Sequence, residues 1–95
     1  MYPGNRRLVH IGIGSGWINM EAVKQALEPA GEWLHYEGHC WVLHSGESLQ
    51  QIRDRIRRVP GLDTANILIS EFRPTTCDGW LPEWCWKWIN ERSGQ

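Results

Sequence analysis

The sequence predicts one α+β domain in which two helices and four short strands alternate, followed by a third helix. Three observations predict it. Apolar residues alternate with others over short runs, the period of a strand. Between those runs lie two stretches with apolar residues every three or four positions, the period of a helix. Glycine, proline, serine and asparagine punctuate the boundaries. At 95 residues the chain has room for one hydrophobic core.

Residues 8–13 form the first expected strand, with Val9, Ile11 and Ile13 on one face and Leu8 and His10 on the other. Gly12, Gly14 and Gly16 break it into a loop. Asn19 suits a helix N-cap, and Met20, Val23, Ala26 and Leu27 supply the apolar stripe that follows. Pro29 and Gly31 end that helix. Residues 33–37 and 40–44 pair as a hairpin with Gly38 at its turn. Ser45, Gly46 and Ser48 are turn and cap residues. The second helix carries Leu49, Ile52, Ile56 and Val59 on one side and stops at Pro60-Gly61. Residues 66–72 are the fourth strand. A loop with Pro74, Thr75, Thr76, Asp78 and Gly79 leads to a terminal helix over 82–91, which Pro82 opens. The order β-α-β-β-α-β is that of a ferredoxin-like domain: a four-stranded antiparallel sheet, two helices on one face, and here a C-terminal Trp-rich helix besides.

Composition narrows the function classes. The formal net charge is −1, so no global basic character points to nucleic acid. No apolar run approaches the roughly 20 residues of a membrane span. Residues 1–7 are polar and lead straight into a strand, so no secretory signal is expected. An odd count of three cysteines at irregular spacing suits reduced thiols in a cytoplasm.

Seven tryptophans are too many for one small core, so some indole is expected at an interface. Trp80, Trp84 and Trp88 recur at four-residue spacing, a stripe for core and dimer packing, with Trp86 pointing elsewhere. The strands are apolar on both faces: Ile67 and Ile69 oppose Leu68 and Phe72, and Trp33 and His35 oppose Leu34 and Tyr36. A sheet of that kind must be covered twice. The terminal helix covers part of the second face and a second subunit the rest, so a homodimer is expected.

Longer runs carry a resemblance: Gly31-Glu32-Trp33-Leu34-His35-Tyr36, Cys40-Trp41-Val42-Leu43, Glu47-Ser48-Leu49-Gln50-Gln51-Ile52-Arg53-Asp54, and Gly79-Trp80-Leu81-Pro82-Glu83 through Trp86 to Trp88-Ile89-Asn90. Over residues 8–91 the chain resembles the SinR-like family of small bacterial proteins, related to the CRISPR-associated protein two superfamily and its VapD-like toxin relatives. The resemblance implies a ferredoxin-like fold, a homodimer and a link to nucleic-acid processing. Nuclease-competent relatives carry an aspartate at the end of strand one, where two copies share a divalent metal. Here that stretch is His10-Ile11-Gly12-Ile13-Gly14-Ser15-Gly16, with no carboxylate. The expected protein is therefore a non-catalytic binding or scaffold module. Two alternatives stand beside it: a metal-dependent nuclease with a relocated site at Glu37, Asp54 or Asp78, and a mobile-element accessory protein that binds another protein.

Other constellations are weaker. Gly12 to Gly16 lies where a phosphate-cradling loop would, but lacks the Gly-Lys-Ser/Thr of a P-loop, and Trp17 holds the place of a third fingerprint glycine. His35, His39, Cys40 and His44 have zinc-ligand chemistry without a Cys-x2-Cys element. Cys40, His44 and Asp54, or Cys77 and Asp78, compose a nucleophilic set only as any chain would. No motif calls for a cofactor. Arg53, Arg57 and Arg58, near Arg55 on the second helix, are the candidate phosphate contacts, because guanidinium forks bind phosphate and stack on bases.

Overall fold

The computed structural model describes residues 6–93. Strand β1 spans Arg7–Gly14, β2 Gly31–Glu37, β3 Cys40–Ser45 and β4 Asn66–Phe72. Helix α1 spans Met20–Leu27, α2 Leu49–Arg57 and α3 Glu83–Glu91. The strands form one antiparallel sheet in the order β2-β3-β1-β4, so β1 lies inside and β2 and β4 are the edges. Register places Val9 opposite Leu43 and Glu71, and His10 opposite Val42 and Ser70.

Local chemistry starts the first two helices as expected. The Asn19 side chain accepts from the Ala22 amide, capping α1. Ser48 and Gln51 form a reciprocal capping box on α2. Gly38, at φ +42°, makes the β2–β3 turn.

The alternation in β1 divides the core in two. Val9, Ile11 and Ile13 face α1 and α2, joining Val23, Leu27, Trp41, Leu43, Ile52 and Ile56 in one buried cluster. Leu8 faces the other way and joins Leu34, Val42, Cys85 and Ile89, so α3 covers part of the second face. Each such aliphatic side chain contributes about 1.5–3 kcal/mol when fully buried. Arg92 ties the end of α3 to β2: its guanidinium bonds Glu32 at 3.1 Å and lies 4.0 Å from the centre of the Trp88 ring.

Strand β1 is one residue longer at each end than the sequence expectation and β3 one residue longer at its end, and three other boundaries also differ. Strand β2 starts at Gly31 rather than at 33. Helix α2 stops at Arg57, because Val59 precedes a proline and turns instead, its amide reaching only the Ile56 carbonyl. Helix α3 starts at Glu83, with Pro82 in the N-cap position. Trp80 therefore lies before the helix, and Trp80, Trp84 and Trp88 do not share one helical stripe. The buried side of α3 is Cys85 and Ile89, with Trp86 and Trp88 packed at its margins.

Candidate functional site

Beyond α3 the described residues leave part of the second face of the sheet open. Gly12 offers it no side chain, and its partner Leu68 is 72% exposed. Between this face and the segment running from β4 into α3 is a cavity of about 600 Å³. The sheet contributes His10, Tyr36, Val42, Ser70 and Phe72 to its lining. The connecting segment contributes Thr76, Cys77, Asp78 and Trp80, and α3 contributes Trp86 and Ile89. The volume is that of a small-ligand site.

His10 and Tyr36 meet across β3. The imidazole Nε2 and the phenol oxygen are 2.6 Å apart, with ring centres at 5.8 Å and planes tilted by 45°. Burial holds His10 below its ordinary range. Tyr36 is pushed up to about 12, first by burial and then by its neighbour Cys40. At neutral pH both groups are therefore uncharged, and one hydrogen bond joins them, its direction set by the imidazole tautomer. That bond occupies the ring nitrogen a general base would use, so the pair is suited to orienting a ligand rather than moving its proton.

Asp78 stands at the rim, and its carboxylate accepts from the Gly79 amide at 2.8 Å. Trp80 beside it is 98% exposed. Thr76 is held by the turn of 74–76, its hydroxyl donating to the Arg73 carbonyl at 3.0 Å.

The candidate phosphate contacts have separate fates. Arg57 turns inward: its Nη1 donates to the carbonyls of Leu62, Asp63 and Ala65 at 3.2, 3.1 and 2.7 Å, closing the loop between α2 and β4. Arg55 forms a two-pronged ion pair with Glu47, which holds that carboxyl below its usual range. Arg53 is exposed and pairs with its neighbour Asp54 at 3.2 Å. Arg58 is exposed. Of the three interface candidates, Trp80 and Trp84 are exposed, Trp84 by 57%, while Trp88 packs against the second core cluster.

The weaker constellations come apart. His35 stacks on Trp41 at 4.8 Å on the helix-covered face, while Cys40 and His44 lie along β3 on the other. Glu37, Asp54 and Asp78 lie on β2, α2 and the loop before α3. Among the described residues, no three His, Cys, Asp or Glu side chains gather as a metal site would require. Ser15 of the glycine loop donates to the Trp17 carbonyl. Sequence reasoning missed the joint role of His10, Tyr36 and Trp86. Alternation put His10 and Tyr36 on the second face, but only the strand order brings them together.

Fold and site together define a class: a small α+β domain with a four-stranded antiparallel sheet, clad by two helices on one face and by one helix and a ligand-sized cavity on the other. Comparison with family models, curated proteins and solved structures returns no match. Among the described residues, no helix is long and apolar enough to cross a membrane.

Proposed function

We propose that this chain is a non-catalytic binding module of ferredoxin-like fold that works as a homodimer. The strand order β2-β3-β1-β4, with α1 and α2 on one face, supports the fold assignment. The SinR-like resemblance, and through it the relation to CRISPR-associated protein two, belongs to the same reading and rests on the sequence runs alone.

One observation carries the dimer. Strand β4 is a sheet edge of seven residues, Asn66 to Phe72, with no proline, lysine or arginine, and Leu68 is exposed on it. Edges of this kind invite pairing. The opposite edge, β2, is interrupted by a register shift between His35 and Glu37, a feature that discourages pairing. Two β4 strands pairing antiparallel about a twofold axis would extend the sheet across both copies. Light scattering after size exclusion tests this. The wild type is expected to run as a dimer. Leu68→Lys sets like charges near the axis and is expected to yield a folded monomer. A wild type that stays monomeric at the highest concentration reached refutes the proposal.

Nucleic acid is the second reading, favoured by the exposed Arg53 and Arg58, which a dimer would double. A gel shift with single-stranded RNA and duplex DNA, fading with salt and lost in Arg53→Ala/Arg58→Ala, is its signature. Cleavage that needs magnesium or manganese and stops in EDTA would overturn the non-catalytic part.

A further inference from the structure

We infer that the cavity on the second face of the sheet is a binding site for an organic cation, an ammonium group carried on an apolar body. This goes beyond the dimer, which uses the β4 edge. The walls come first. Tyr36, Phe72, Trp80 and Trp86 all line the cavity, and they approach it from the sheet, the connecting segment and α3. Aromatic faces are electron-rich, and several around one space attract an ammonium while they bury its methyl groups.

Charge comes second. One carboxylate, that of Asp78, belongs to the lining, and among the described residues no lysine or arginine does. Glu71, whose backbone borders the cavity, pairs with Val9 and so directs its side chain to the helix-covered face, where it bonds Arg7 at 3.0 Å. Asp78 has no cation against it among the described residues, although Arg7, Arg55 and Arg92 all hold carboxylates elsewhere. An anionic ligand such as a nucleotide phosphate would meet the Asp78 carboxylate and, among the described residues, no compensating cation.

Neutrality of the inner end comes third. His10 is hydrogen-bonded to Tyr36 and its burial disfavours the charged imidazole, so at neutral pH the cavity places no competing positive charge there. Trp80, almost wholly exposed, has surface to bury over a guest. Gly79 before it has open space around its α-carbon, which leaves the rim room to adjust.

The test uses the whole chain with 15N label, following the indole Nε1–H signals of Trp80 and Trp86 during titration. The probes are choline, its uncharged carbon isostere 3,3-dimethylbutan-1-ol, benzyltrimethylammonium and AMP. Choline is expected to bind at least about fivefold tighter than its isostere, the contribution of one cation–π contact. Benzyltrimethylammonium, which fills more of the cavity, is expected to bind tighter than choline. Asp78→Asn and Trp80→Ala alter exposed side chains, so folding should be retained. Each is expected to weaken the two cations about threefold or more. Asp78→Asn should leave the isostere unchanged. Equal affinity for choline and its isostere, preference for AMP, or silence of both indoles overturns the inference. The titration is repeated on Leu68→Lys: cation binding by a monomer separates this site from the dimer proposal.

Discussion

Replacing Arg57 separates a structural arginine from a phosphate-binding one. The side chain sits on α2 within an arginine-rich run, where sequence gives it the same standing as Arg53 and Arg58. Its Nη1 faces three carbonyls, those of Leu62, Asp63 and Ala65. One such nitrogen carries two hydrogens, so the three acceptors share two bonds, the shortest being to Ala65 at 2.7 Å. A hydrogen bond from a charged donor contributes about 1.5–3 kcal/mol, and the lower end applies where water can replace it. The Asp63 contact is exposed and those to Leu62 and Ala65 are partly buried. Arg57→Ala should therefore cost about 2–3 kcal/mol in all. For a chain of this size that is a fall in Tm of about 10–20 °C. Urea and thermal unfolding followed by circular dichroism measure it. Arg53→Ala and Arg58→Ala should each stay within about 0.5 kcal/mol of wild type, as surface substitutions do. If Arg57→Ala unfolds like wild type yet loses nucleic-acid binding, the structural assignment of Arg57 is wrong.

Other substitutions probe the frame around the site. A Cβ on Gly31 would overlap the His44 carbonyl oxygen across the β2–β3 ladder, so Gly31→Ala should cost roughly 3 kcal/mol, read from urea midpoints. Ile89 is 2% exposed and anchors α3 over the second face, so Ile89→Ala should cost about 2–4 kcal/mol and expose the cavity, read as dye binding and lost stability. Burial lowers the pKa of both His10 and His44 in the folded state. Below pH 6.5 the unfolded chain then binds protons that the folded chain resists, so these two histidines make stability rise with pH. Urea midpoints at pH 7.5 should exceed those at pH 5.5, and equal midpoints would count against the burial of both rings.

Much of the fold was legible because it is local. Asn19 and Ser48 cap the next residues of the chain, and Val9, Ile11 and Ile13 share a face whatever the sheet order. The surplus of apolar side chains on the second face was legible too, and α3 takes up part of it. The tryptophan stripe was misread because spacing implies a face only inside a helix, and Trp80 lies before the first turn of α3. Trp86, set apart from that stripe in the sequence, packs against the second core cluster instead.

The arginines and the cavity mark the division between sequence and tertiary structure. The residues alone placed the strands and helices to within two positions, put Val9, Ile11 and Ile13 on one face, and left no acid at the end of β1. Those properties follow from periods of two and 3.6 residues and from residue identity. Long-range packing turned Arg57 to the carbonyls of Leu62, Asp63 and Ala65 while Arg58 faces solvent, and gathered His10, Tyr36, Asp78 and Trp80 around one space. Those outcomes depend on the order of strands in the sheet and on the path of the segment between β4 and α3. Both are set by the packing of parts distant in sequence, which no local pattern encodes.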